Sequence, residues 1–168
     1  NGDVPVPSLG SSDAWVVKIN STGTIEWQKR YGGSNYDQAM SIHRTLDGGY
    51  VFAGRSASPG THGSDDAWVV KLDSNGNQQW QSFMGGSFSD YGRSIRQTAD
   101  GGYIVAGNTF SKDIETAGND VGGIYAARLD SFGTVLWQRA IGGSGSDFGS
   151  SIIPSDGGYI LAGYSDST

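Results

Sequence analysis

The chain has 168 residues, 28 of them glycine and 4 proline, with a net charge of −6 and no cysteine. That balance argues against a duplex nucleic-acid binder, which needs a basic face for the phosphates, and excludes disulfides, thiolate chemistry and Cys-ligated zinc. No apolar run approaches the ~20 residues of a membrane-spanning helix, and the absence of an initiator Met or leader-like segment fits a mature or excised piece.

The chain opens on NGDVPVPSLGSS, where Pro5 and Pro7 favour an extended path. Residues 14–31 then read as two strands joined by a turn, and Asn20-Ser21-Thr22, an N-glycosylation sequon, falls on that turn, where a structural role is the simpler expectation. Gly32-Gly33-Ser34 follows, with Asp37 three residues on. A third strand carries His43, and Asp47-Gly48 opens a hairpin into YVFAG. The polar loop at 55–65 holds the second histidine, His62.

The same order then begins again. In AWVVKLD, Trp68, Val70 and Leu72 alternate with Ala67, Val69 and Lys71, the period of a strand. The turn DSNGN offers Asp73 to open it and Gly76 for a left-handed conformation. QQWQSFM, GRSIRQT and YIVAG are three further strands, the last two joined by Asp100-Gly101.

Trp27, Trp80 and Trp137 lie 53 and 57 residues apart, and the Gly-Gly-Tyr triplets ending at Tyr50, Tyr103 and Tyr159 are spaced by 53 and 56. Gly-Gly-Ser recurs ahead of Asp37, Asp90 and Asp147. Repetition at this period predicts units at about 13–65, 66–122 and 123–168 within a single domain spanning 1–168. Four short strands per unit give an all-β class and point to β-propeller blades of four antiparallel strands. Ala53-Gly54, Ala106-Gly107 and Ala162-Gly163 would fit a crowded position near the axis, while the regular Trp and Val positions would pack blade on blade.

The motif GGSFSDYGRSIRQTADGGYIVAGNT at 85–109 resembles the bacterial β-propeller repeat of the SBBP type. WVVKLDSNGNQQW is similar to the strand-turn-strand of quinoprotein-like propeller blades. The resemblance runs through nearly the whole chain. It implies a secreted protein, extracellular or at the cell surface, that acts as a spacer, scaffold or adhesive module. It implies no reaction, because propellers host many functions. The third unit departs from the pattern at Gly123, Tyr125 and Arg128, and its 147–156 stretch is one residue shorter than its counterparts, with Pro154 inside it. Proline lacks a ladder donor, so an edge or a bulge is expected there.

Catalytic groups are sparse. The two histidines occupy non-equivalent positions, Glu26 and Glu115 are the two glutamates, and neither a nucleophile elbow nor a phosphate loop is present. The expectation is a non-enzyme, with a lyase or hydrolase using loop acids as the remote alternative. Asp113, Glu115, Asn119 and Asp120 offer hard oxygen donors for calcium in one loop. No other cofactor is expected. Asp37, Asp90 and Asp147 are expected to bond backbone amides at turns, or to pair with Lys18, Lys71 or Arg128. Tyr36, Phe88, Tyr91, Phe110 and Phe148 lie off the repeat and are the ligand candidates for a glycan-binding module.

The family phase places whole blades at about 39–84 and 92–141, with half-blades at 14–31 and 149–164. The chain then holds about three blade equivalents, with half-blades at its two termini. Joining 164–168 to 1–12 would make a loop of 17 residues, beside 11 at 55–65 and 15 at 108–122. Three blades leave too tight an axis, since propellers use about four to eight. That leaves the rest of a longer parent chain or, as the expected partners, other copies, head to tail, as a ring of about six blades or as a filament.

Overall fold

The computed structural model describes residues 7–58, 60–117 and 123–166. Those residues contain strands and turns and no helix. In chain order the strands are β1 (Ala14–Ile19), β2 (Ile25–Tyr31), β3 (Asp37–Arg44), β4 (Tyr50–Ser56), β5 (Asp66–Leu72), β6 (Gln78–Met84) and β7 (Asp90–Gln97). They continue as β8 (Tyr103–Thr109), β9 (Thr116–Ala117), β10 (Gly123–Leu129), β11 (Val135–Ile141), β12 (Asp147–Ser155) and β13 (Gly158–Ser165).

Twelve of these strands form four antiparallel sheets. β1-β2 is a hairpin, β3-β4-β5-β6 a four-stranded meander, β7-β8-β10-β11 a second one, and β12-β13 a closing hairpin. The two-residue β9 adds in parallel to the outer edge of β11. The sheets are offset from the sequence units: the boundaries between units at 65/66 and 122/123 fall inside the two meanders, not between them.

Successive sheets pack face to face in one repeated way. β1 lies against β3, β4 and β5 against β7, and β8 and β10 against β12. The alternation along β5 explains how one strand serves two seams. Trp68, Val70 and Leu72 join a cluster with Ala14, Val16 and Phe52, while Ala67 and Val69 join another with Ile95, Val105 and Tyr125. A third cluster, around Ile104, Ala106 and Ile152, fills the last seam.

The repeated tryptophans stabilise these seams. Trp27 meets Tyr50 at 5.9 Å between ring centroids, Trp80 meets Tyr103 at 5.5 Å, and Trp137 meets Tyr159 at 6.2 Å. Each reaches from the last strand of one sheet to the Gly-Gly-Tyr tyrosine of the next. The packing role expected of them is the one they have.

The turns follow their side chains. Asn20 accepts from the amides of Thr22 and Thr24 at 3.0 and 2.9 Å, as Asp73 does from Asn75 and Asn77 and Asp130 from Phe132 and Thr134. The sequon asparagine is therefore a turn-former. Asp37, Asp90 and Asp147 each accept, at 2.8 Å, from the amide four residues back, on Gly33, Gly86 and Gly143.

One expectation needs correcting. Gly54, Gly107 and Gly163 are small because the preceding strand bulges beside them: a Cβ would run into the carbonyls of Gln38, Tyr91 and Phe148. Backbone in the same sheet imposes the crowding. Pro154 sits in β12 opposite Tyr159 on an edge strand, one of the two places expected for it, and the β12 bulge lies between Gly149 and Ser151.

Candidate functional site

Two strands, β13 and β1, have one edge unpaired among the described residues where their equivalents in the meanders are paired on both sides. In the meanders the Gly-Gly-Tyr strand pairs on its far side with a Trp/Tyr-bearing strand: Val51 stands opposite Lys71 in one, and Ile104 opposite Arg128 in the other. β13 has the residue pattern of β4 and β8, yet among the described residues nothing pairs beyond it. β1 has the pattern of β5 and β10, and among the described residues no strand stands beside it where β4 and β8 do.

Their side chains register the difference. Trp15 is 59% exposed where its equivalents Trp68 and Tyr125 are 1% and 0%. Ile160 is 57% exposed where Val51 and Ile104 are fully buried. Tyr164 and Ile19 are likewise exposed. Apolar side chains that the repeat buries elsewhere are thus open on these two edges, as at strand edges that pair with another chain.

The polar groups at the edges follow the same logic. Lys71 Nζ donates to Asp47 at 2.8 Å, to the Leu72 carbonyl at 3.0 Å and to Gln79 at 3.0 Å. Arg128 reaches both carboxylate oxygens of Asp100 at 2.6 Å. The strand cations therefore pair with the hairpin aspartates, and not with Asp37, Asp90 or Asp147. The Lys71 hydrogen bond, helped by the Thr45 hydroxyl, holds the Asp47 carboxyl down at about 2. Lys18, the equivalent of Lys71 on β1, meets Glu26 alone, at 2.6 Å. Asp156, the equivalent of Asp47 and Asp100, is exposed at the β12-β13 turn.

The ligand candidates gather in part. Arg55 lies over the rings of Tyr36 and Tyr91, at 4.4 and 5.0 Å, and bonds Asp65 at 3.0 Å. Tyr91 meets Phe110 edge-on at 6.0 Å, Phe148 packs on Tyr164, and Phe88 is exposed apart from them. A hollow of about 650 Å³ runs past Tyr91, Arg55, Arg93, Gln38 and Ser150. Of the calcium candidates, Asp113 accepts from the Ser87 amide at 3.0 Å and Glu115 bonds Arg139 at 2.7 Å; Asn119 and Asp120 lie outside the described residues. The described residues hold no cluster of three or more acids or histidines placed for a metal. His62 caps its own loop against Asp66 at 3.1 Å, and burial first, then Arg96, lowers the affinity of His43 for a proton.

Of the two roles expected for Asp37, Asp90 and Asp147, amide bonding is the one seen, and the pairing with strand cations falls to Asp47 and Asp100 instead.

No family model matches the chain. It is similar to the regulatory protein FlaEY of Caulobacter vibrioides, with 23% identity over 176 residues, covering 94% of this chain and 18% of that protein. The chain therefore spans less than a fifth of this relative's length.

Proposed function

We propose that this protein is a β-propeller-repeat element without catalytic activity, extracellular or at the cell surface, that joins copies of itself head to tail through its two open strand edges. One observation carries the reading. The β12-β13 hairpin repeats the first half of each meander, and β1-β2 repeats the second half. A β13 edge set beside a β1 edge makes a sheet of a kind the chain already builds twice. The repeat resemblance supports the propeller architecture and the extracellular placement.

The energetics favour joining. Trp15, Ile19, Ile160 and Tyr164 are each 57–59% exposed, so burying them to the level of their equivalents contributes roughly 1–2 kcal/mol for each side chain. A seven-residue backbone ladder of the kind seen between β4 and β5 adds to that. Closing two copies into a ring makes two such contacts for a single loss of translational freedom, so a ring outcompetes an open chain wherever the rotation closes.

Sedimentation and electron microscopy of the purified chain test the reading. Particles of twice the chain mass, or fibres, are the expected result, and a stable monomer at micromolar concentration overturns it. A second reading, a glycan-binding module, is favoured by the hollow between Tyr91, Arg55 and Arg93. Binding on a glycan array that is lost in Tyr91→Ala would support it, and silence on the array would remove it.

A further inference from the structure

We propose that the joint has one register and a charged latch: β13 pairs antiparallel with β1 of a second copy, Ile160 opposite Lys18, and Asp156 bonds that Lys18. This rests on the head-to-tail reading above and names its contact residue by residue.

Two internal templates define the register. Val51 faces Lys71 and Ile104 faces Arg128, and in both cases the hairpin aspartate that holds the cation lies four residues earlier, at Asp47 and Asp100. Asp156 lies four residues before Ile160. The same templates place Leu161 opposite Val17, Ala162 opposite Val16, Gly163 opposite Trp15 and Tyr164 opposite Ala14.

Two observations and one geometric constraint fit this contact. First, a Cβ on Gly49 would run into the Leu72 carbonyl and Lys71 Nζ, and one on Gly102 into Arg128 and the Leu129 carbonyl. The equivalent Gly158 has nothing within 4 Å of a Cβ, so the space filled by the cation-bearing strand in both meanders is open here. Second, the Lys18 side chain is 37% exposed against 5% for Lys71 and 7% for Arg128, and it already holds Glu26 where Lys71 holds Gln79. The latch position is half assembled. Third, β2 already sets the faces of β1, so a slip of one residue would turn Ile160 and Tyr164 of β13 to the wrong face, since side chains alternate along a strand.

The absence of native cysteine makes disulfide trapping clean. Leu161→Cys mixed with Val17→Cys should cross-link on mild oxidation, because facing Cα atoms in a ladder lie within disulfide reach. Leu161→Cys mixed with Val16→Cys or Lys18→Cys, one residue out of register, should link far less. Asp156→Lys and Lys18→Asp should each weaken association about tenfold, and the chain carrying both should recover it, since opposite charges again meet across the joint. Circular dichroism melts of each variant, taken dilute, show whether the chain itself still folds. Copies that associate but link at a slipped position, or ignore the charge reversals, overturn this contact and leave the head-to-tail reading standing. Copies that never associate overturn both.

Discussion

The two meanders and the two terminal hairpins are built from the same residues in the same order, and they differ in burial. In β5 every residue is buried, while β1, its repeat equivalent, alternates between buried and open positions. β8 is buried throughout, while β13 is exposed along nearly its whole length. Nothing in the local sequence of Trp15 makes it less apolar than Trp68. What differs is the neighbour: Trp68 packs on Phe52 and Phe83 and clusters with Ala14, Val16 and Tyr31 of the preceding sheet, and among the described residues Trp15 has neither a flanking strand on one side nor a preceding sheet. Burial in this chain is a property of the assembled sheet, and a strand of identical pattern is core in one place and open edge in another.

The sharpest way to break that comparison is to truncate both tryptophans. Trp68→Ala should cost about 3–5 kcal/mol, the range for a large aromatic removed from a packed core. Trp15→Ala should change the stability of the dilute chain by about 0.5 kcal/mol or less, as a surface change does. Thermal unfolding of both variants checks the contrast, and equal losses would mean that β1 is already covered.

The glycines give the next largest contrast. Gly49→Ala forces a methyl against the Leu72 carbonyl and Lys71 and should cost about 1–3 kcal/mol. Gly158→Ala meets nothing and should leave the melting temperature of the dilute chain nearly unchanged, while lowering the affinity between copies measured by sedimentation.

The smallest effect is in pH. Because the folded-state pKa of Asp47 is held near 2, below the ordinary carboxylate value, the Lys71–Asp47 pair contributes fully above about pH 4. The contribution fades as pH falls through 2. The Asp47 side chain is 55% exposed, so solvent limits it to under about 1 kcal/mol. Urea melts of Asp47→Asn beside the parent should differ at pH 5 and converge towards pH 2.

Much of the fold was legible because each repeat states its strands three times. The alternation of Trp68, Val70 and Leu72 with Ala67 and Val69 predicted two faces, and those faces enter two separate clusters. Asp37, Asp90 and Asp147 were read as turn-bonding residues and bond turn amides, an interaction local enough to follow from spacing. The cation partners were not legible. Lys71 and Asp47 are 24 residues apart and meet only through the β4-β5 ladder register, which spacing alone leaves open. The same holds for Arg55, which Tyr36 and Tyr91 enclose from different sheets.

By itself, then, the amino-acid sequence determined the strand positions, the turn residues and the repeat, because these depend on interactions within a few residues or on a pattern copied along the chain. The tertiary structure decided which equivalent residues are buried, why Gly54 and Gly107 tolerate no side chain, and which aspartate holds each strand cation. Those outcomes depend on the strand that lies alongside, and β1 and β13 each have one side where no such strand lies among the described residues.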